Sequence, residues 1–189
     1  MEIGLYFGSF NPIHVGHCII ASHMVQNTPL ERIWFVVSPQ NPFKNAASLL
    51  NEYHRLHLVQ LAIEGDPLLK ASDIEFQLPR PSYTVDTLAY LKEKYPSHTF
   101  SIVLGSDGLQ NLSKWKNAPT LVSNHRIYVY ERPGYPIVNP LNANIESVKA
   151  PLLEISSTHI RESIKNGKSV RYLVPDKVQE ELEQYHYYK

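Results

Sequence analysis

Apolar residues gather along this chain in short, nearly unbroken runs: Ile3–Phe7, Ile33–Val37, Phe100–Leu104 and Ile127–Tyr130. Runs of that length, apolar on alternate and intervening positions alike, predict strands buried on both faces. Weaker candidates lie near Leu69–Ile74 and Leu152–Ile155. Between the runs the period lengthens. Val15–Gln26, Glu52–Glu64 and Thr84–Lys94 are amphipathic, with Leu56, Val59, Ala62 and Ile63 on one face of the second and Val85, Leu88, Ala89 and Leu91 on one face of the third. Strand and helix therefore alternate, which predicts an α/β fold: a Rossmann-like, doubly wound parallel sheet with helices on both faces and ligands at the strand carboxyl ends.

The pattern lapses over Pro133–Pro151, which carries Pro133, Gly134, Pro136, Pro140 and Pro151 without periodicity and reads as an irregular connection. Beyond it, Ser157 can cap a helix running to about Asn166, with Gly167 at its end, and Pro175 and Asp176 open a last helix toward Tyr185. Residues 186–189 read as a fraying end. The expected organisation is one domain over residues 1–189, with residues 155–189 as a helical C-terminal part.

Composition narrows the chemistry. Lys plus Arg and Asp plus Glu both total 18, so no bulk charge would hold the chain on nucleic acid or an anionic membrane, and phosphate binding must be local. The apolar runs are too short to span a bilayer, and the amino terminus lacks the basic-then-apolar order of a signal peptide, so a cytoplasmic protein is expected. A homodimer is compatible with this composition. Cys18 is the single cysteine, which excludes an internal disulfide and any multi-cysteine metal site, and it reads as a buried, inert thiol.

Chemistry concentrates at two places. The first strand runs directly into Gly8-Ser9-Phe10-Asn11-Pro12-Ile13-His14-Val15-Gly16-His17, and a helix follows at once. Gly8 and Gly16 let backbone approach a ligand, and His14 and His17, three apart, share a helix face near its positive end, where two imidazoles can meet one anion. Such a pair can also merely cap the helix or bind a metal. His54 and His57, the next pair, read as surface residues of an ordinary helix. The second place is Ile155-Ser156-Ser157-Thr158-His159-Ile160-Arg161, where hydroxyls and free amides at a helix start, followed one turn later by a guanidinium, suit a polyphosphate. Plain capping is the alternative.

The first stretch resembles the phosphate-binding signature of the nucleotidylyltransferase superfamily, with Asn11 where many members carry aspartate, and the second resembles that superfamily's later signature. Further segments resemble bacterial nicotinate-nucleotide adenylyltransferases: Ser38-Pro39-Gln40-Asn41-Pro42-Phe43-Lys44, Ser82-Tyr83-Thr84-Val85-Asp86-Thr87, Gly105-Ser106-Asp107, and Trp115-Lys116 before Pro119, with Arg132-Pro133-Gly134 and Tyr172-Leu173-Val174-Pro175 as late landmarks. The resemblance implies adenylyl transfer from ATP, with Mg²⁺, to nicotinate mononucleotide. It implies that His14, His17 and Arg161 are catalytic and that Gly8, Ser9, Phe10, Gly105, Asp107, Ile155, Ser156 and Ser157 join them around ATP. Lys44, Tyr83, Thr84, Trp115 and Lys116 would hold the acceptor, with Trp115 against the pyridine ring. No protein-only metal cage is expected, because Mg²⁺ keeps waters and borrows substrate oxygens. Rival readings are a nicotinamide mononucleotide or pantetheine phosphate acceptor, a non-catalytic nucleotide sensor, and a metal-binding regulator built on the histidines.

Overall fold

Six strands form one sheet in the order β3-β2-β1-β4-β5-β6, and every pairing is parallel. In the computed structural model, which describes residues 1–40, 49–151 and 153–189, they are β1 (Glu2–Gly8), β2 (Arg32–Val37), β3 (Leu69–Ser72), β4 (Thr99–Gly105), β5 (Ile127–Tyr130) and β6 (Ile145–Val148). The helices are α1 (Val15–Asn27), α2 (Glu52–Ala62), α3 (Thr84–Lys94), α4 (Ser106–Gln110), α5 (Ala118–Asn124), α6 (Ser157–Lys165) and α7 (Asp176–Gln184). From β1 the chain winds outward through β2 and β3, then returns to β4 beside β1 and winds the other way. That reversal opens a crevice at the carboxyl ends of β1 and β4.

Alternation along the strands sorts the core into two layers. Tyr6, Ile33, Phe35, Val37, Val103 and Tyr128 pack on one face with Ile20, Met24, Leu58 and Ile160 from α1, α2 and α6. Ile3, Leu5, Trp34, Val36, Ile102 and Val129 pack on the other with Leu88, Leu91, Leu109 and Leu121 from α3, α4 and α5. Trp34 is thus core, as its place inside a strand implied.

Three expectations need correction. The sixth strand is Ile145–Val148, inside the segment read as irregular. Its sequence, Ile-Glu-Ser-Val, has no apolar run because it is a sheet edge, and pairing with β5 makes it a strand. Leu153–Ile155 forms no strand, and β3 ends at Ser72, giving way to a 3₁₀ turn at Ile74–Gln77. The end of the chain does not fray: Tyr187 Oη lies 2.9 Å from His54 Nδ1, and Tyr188 Oη donates to Asn11 Oδ1 at 2.6 Å. His186 and Tyr188 hold left-handed φ values of 55° and 65°, a conformation sustained by these contacts.

Helix α2 buries a cation. Arg55 has no exposed surface, and its guanidinium donates to four backbone carbonyls: Nε to Leu50, Nη1 to Ser9 and Ser38, Nη2 to Pro39. It thereby joins the segments that leave β1 and β2 to the entry of α2. Arg55→Met should strand those carbonyls and lower the unfolding free energy by about 3 kcal/mol or more, a fall in Tm of about 6–12 °C in a chain of this size. Thermal unfolding followed by circular dichroism measures it, and an unchanged Tm would refute this role.

Candidate active site

The segment after β1 turns through a cis Asn11–Pro12 bond, with Phe10 in the left-handed region at φ 45°. The Phe10 ring is buried edge-on against Tyr6, His17 and Phe35 and anchors the loop. Ser9 is buried as well. His14 stands at the N-cap of α1 and His17 at its third residue; their rings stack at 3.6 Å with 23° between planes. Gly16 makes this possible, since a Cβ there would come within 3.0 Å of the His14 ring. The backbone N–H of His14 donates to His17 Nδ1 at 3.2 Å, which leaves the proton of a neutral His17 ring on Nε2. Burial, and then the neighbouring Arg132 charge, lower the His14 pKa to about 4. In the free protein at neutral pH His14 is therefore an uncharged ring, and the fixed positive charge beside it belongs to Arg132.

The two signatures meet. Ser157 Oγ donates to the carbonyl of Pro12 at 2.9 Å, and Arg161 Nη1 to that of Asn11 at 2.8 Å. Arg161 Nη2 also reaches Thr158 Oγ1 at 3.3 Å. Ser156 caps α6 by accepting from the backbone N–H of His159, whose own side chain is exposed. The start of α6 is thus capped by Ser156, while Ser157 and Arg161 hold the histidine loop in place.

Two cavities open on either side of the end of β1. One, of about 40 Å³, is lined by Tyr6, His14, Gly16, His17, Tyr130, Arg132 and Ile155, among others. The hydroxyls of Tyr6 and Tyr130 bond to each other at 3.0 Å beneath it. At Gly105, the end of β4, a Cβ would meet Asp107 Oδ1 at 2.5 Å and Arg132 Cδ at 3.1 Å, so both side chains would have to shift. Asp107 and Arg132 thus converge on the strand end. The other cavity, of about 120 Å³, brings together Gly8, Ser38, Glu75, Tyr83, Thr84 and Trp115, with Lys116 at its side. Lys116 Nζ stands 4.7 Å over the Tyr83 ring and pairs with Asp86 at 2.8 Å. Lys44 and Asn41 lie outside the described residues. Among the described residues, no group of three or more His, Cys, Asp or Glu is arranged to hold a metal ion.

A family model described as cytidylyltransferase-like matches residues 5–163. Proteins described as "probable nicotinate-nucleotide adenylyltransferase" from Flavobacterium psychrophilum and Cytophaga hutchinsonii are 52% and 50% identical to this chain. The first match covers all of both chains, the second all of this chain and 98% of its relative. The chain belongs to the nicotinate-nucleotide adenylyltransferase family. The fold agrees with that of the Plasmodium falciparum nicotinic acid mononucleotide adenylyltransferase solved with NaAD, at a TM-score of 0.83 and 22% identity, covering 99% of this chain and 97% of that one.

Membership in the family does not by itself pick out Glu75 or Arg55, and sequence reasoning missed both. Glu75 sits in a 3₁₀ turn directly after the stretch Leu69–Ile74 read as a weak strand, and Arg55 reads as a polar position of an amphipathic helix. Arg132 was visible only as part of an Arg-Pro-Gly landmark; its place beside His14 comes from β5 ending next to β4. Cys18 was expected to be buried and is half-buried against the core; burial pushes its thiol up to about 11.

The lowered pKa of His14 has a measurable effect. Between pH 6.5 and 4 the unfolded chain takes a proton at this ring that the folded chain refuses. This contribution to stability is therefore complete above pH 6.5 and is lost as pH falls through the window, by about 3 kcal/mol. An NMR titration of the ligand-free protein should place the His14 midpoint near 4, and a midpoint near 6.5 would contradict the burial argument.

Proposed function

We propose that this chain transfers the adenylyl group of ATP to nicotinate mononucleotide, forming nicotinate adenine dinucleotide and pyrophosphate in NAD biosynthesis. The observation that carries the reading is the pair of cavities flanking one strand end, with the stacked histidines on one side and Trp115, Tyr83 and Thr84 on the other. Full-length relatives named for this activity support it. An acceptor phosphate lying across the end of β1 would face the α-phosphorus of ATP held at α1.

In this reading an oxygen of the acceptor phosphate attacks the α-phosphorus in line, and the bond to the β-phosphate oxygen breaks as pyrophosphate departs with the electron pair. His17 Nε2–H donates to the α-phosphate oxygens, where charge builds in the transition state, and the His14 ring stacks against the His17 ring. Arg132 and Arg161 supply fixed positive charge, the latter also holding the loop that carries both histidines. Mg²⁺ would arrive with ATP, neutralising phosphate oxygens and held by them and by water. The acceptor's ring would lie against Trp115, and its carboxylate would meet the first amides of α3. We assign the reaction to the cytoplasm.

Pyrophosphate release from ATP and Mg²⁺, run with nicotinate mononucleotide beside nicotinamide mononucleotide and pantetheine phosphate, tests the assignment. The first acceptor should win clearly; preference for another would discard the pocket reading, and no release with any would favour a sensor. Two variants test the site. His17→Ala should lower kcat by about 10²–10³-fold with the fold intact. Trp115→Ala should raise KM for the acceptor while leaving that for ATP nearly unchanged, and the reverse pattern would exchange the two cavities.

A further inference from the structure

Glu75 is a carboxylate only 2% exposed, and it lines the acceptor-side cavity with no ion pair among the described residues. Its oxygens are taken by hydroxyls: Ser82 Oγ donates to Oε2 at 2.6 Å and Thr87 Oγ1 to Oε1 at 2.9 Å. Burial raises its pKa against the pull of these bonds. Both hydroxyls belong to the entry of α3, whose N-cap is Tyr83 and which has no side-chain cap. The helix's own bonding begins at Asp86 and Thr87, both donating to the Tyr83 carbonyl at 3.0 and 3.1 Å. The amides of Thr84 and Val85 come before any helical acceptor.

Ser82 stands two and three residues before those amides, the spacing at which a serine hydroxyl accepts from local backbone N–H groups. That spacing makes Ser82 a candidate cap for α3. Glu75 instead draws the hydroxyl away to the floor of the cavity, with Thr84 remaining on the cavity wall. We propose that Glu75 is a positioning residue for the acceptor: by binding the Ser82 and Thr87 hydroxyls it keeps the first turn of α3 uncapped and open to the acceptor's carboxylate. This rests on nicotinate mononucleotide being the acceptor.

The sign of the effect separates this role from simple charge. Removing a nearby carboxylate would, by charge alone, tighten binding of an anionic acceptor; releasing Ser82 to cap the helix weakens it. The test is steady-state kinetics on wild type, Glu75→Ala and the double variant Glu75→Ala with Ser82→Ala. We expect the single variant to raise KM for nicotinate mononucleotide about tenfold with KM for ATP within twofold, and the double variant to recover most of that loss because no hydroxyl remains to occupy the amides. If circular dichroism shows that the alanine variant does not fold, Glu75→Gln, which keeps the side-chain volume, should give a several-fold rise confined to the acceptor. An unchanged or lowered acceptor KM, an equal rise for ATP, or a double variant no better than the single one would overturn the proposal. Failure of the parent reading looks different: wild type itself would then show no preference for nicotinate mononucleotide.

Discussion

A guanidinium with no exposed surface, bound to four carbonyls and no carboxylate, is the contact on which the site's architecture depends. The ends of two parallel strands and the start of a helix carry backbone carbonyls that secondary structure leaves unpaired, and burying them unbonded would cost about 1–3 kcal/mol each. Arg55 satisfies them together. In doing so it holds the segment bearing the histidines at a set distance from the segment after β2. The carbonyl dipoles disperse its charge, and the Glu52 carboxylate acts on it as well.

Around that guanidinium the other tethers pull in the same direction. Arg161 and Ser157 from α6 bind carbonyls of Asn11 and Pro12, and Tyr188 and the backbone of Leu50 donate to the Asn11 side chain. Asn11 thus works as an acceptor joined to distant parts of the chain, a role for which its amide oxygen serves as well as the carboxylate common in the superfamily. The residues expected to touch phosphate also build the loop that presents phosphate donors. In the free protein one ring of the histidine pair is uncharged, and in the proposed reaction the pair would contribute directed N–H groups while fixed charge comes from arginines. That division suits a transition state whose charge appears at defined oxygens, because preset dipoles need no reorganisation when the reaction occurs.

Much of this was legible in advance. The limits of α1, α3, α6 and α7 follow from amphipathic period and capping residues, and four of the strands from apolar runs. One cavity gathers Tyr83, Thr84, Trp115 and Lys116 of the residues assigned to the acceptor, together with Gly8; of those assigned to ATP, His14, His17 and Ile155 line the other. The edge strand β6 escaped, because half of its side chains face away from any core and its polar residues erase the apolar signal. That the Phe10 ring packs in the core was not legible from its place in the signature.

By itself, the sequence determined the local matters: which segments are helix or strand, where they begin, and that histidines and a hydroxyl-rich helix start stand at strand ends. Those depend on periodicity and on neighbours within a few positions, which the chain carries wherever it goes. Only the tertiary structure decided what each polar group does with its bonds. Ser82 could have capped α3 until Glu75 was folded against it, His14 could have been charged until burial beside Arg132 lowered its pKa, and Arg55 was one more polar residue on a helix until four carbonyls from other segments closed around it. Hydrogen bonds and desolvation act over a few ångströms between residues far apart in the chain, so their outcome is set when the elements pack.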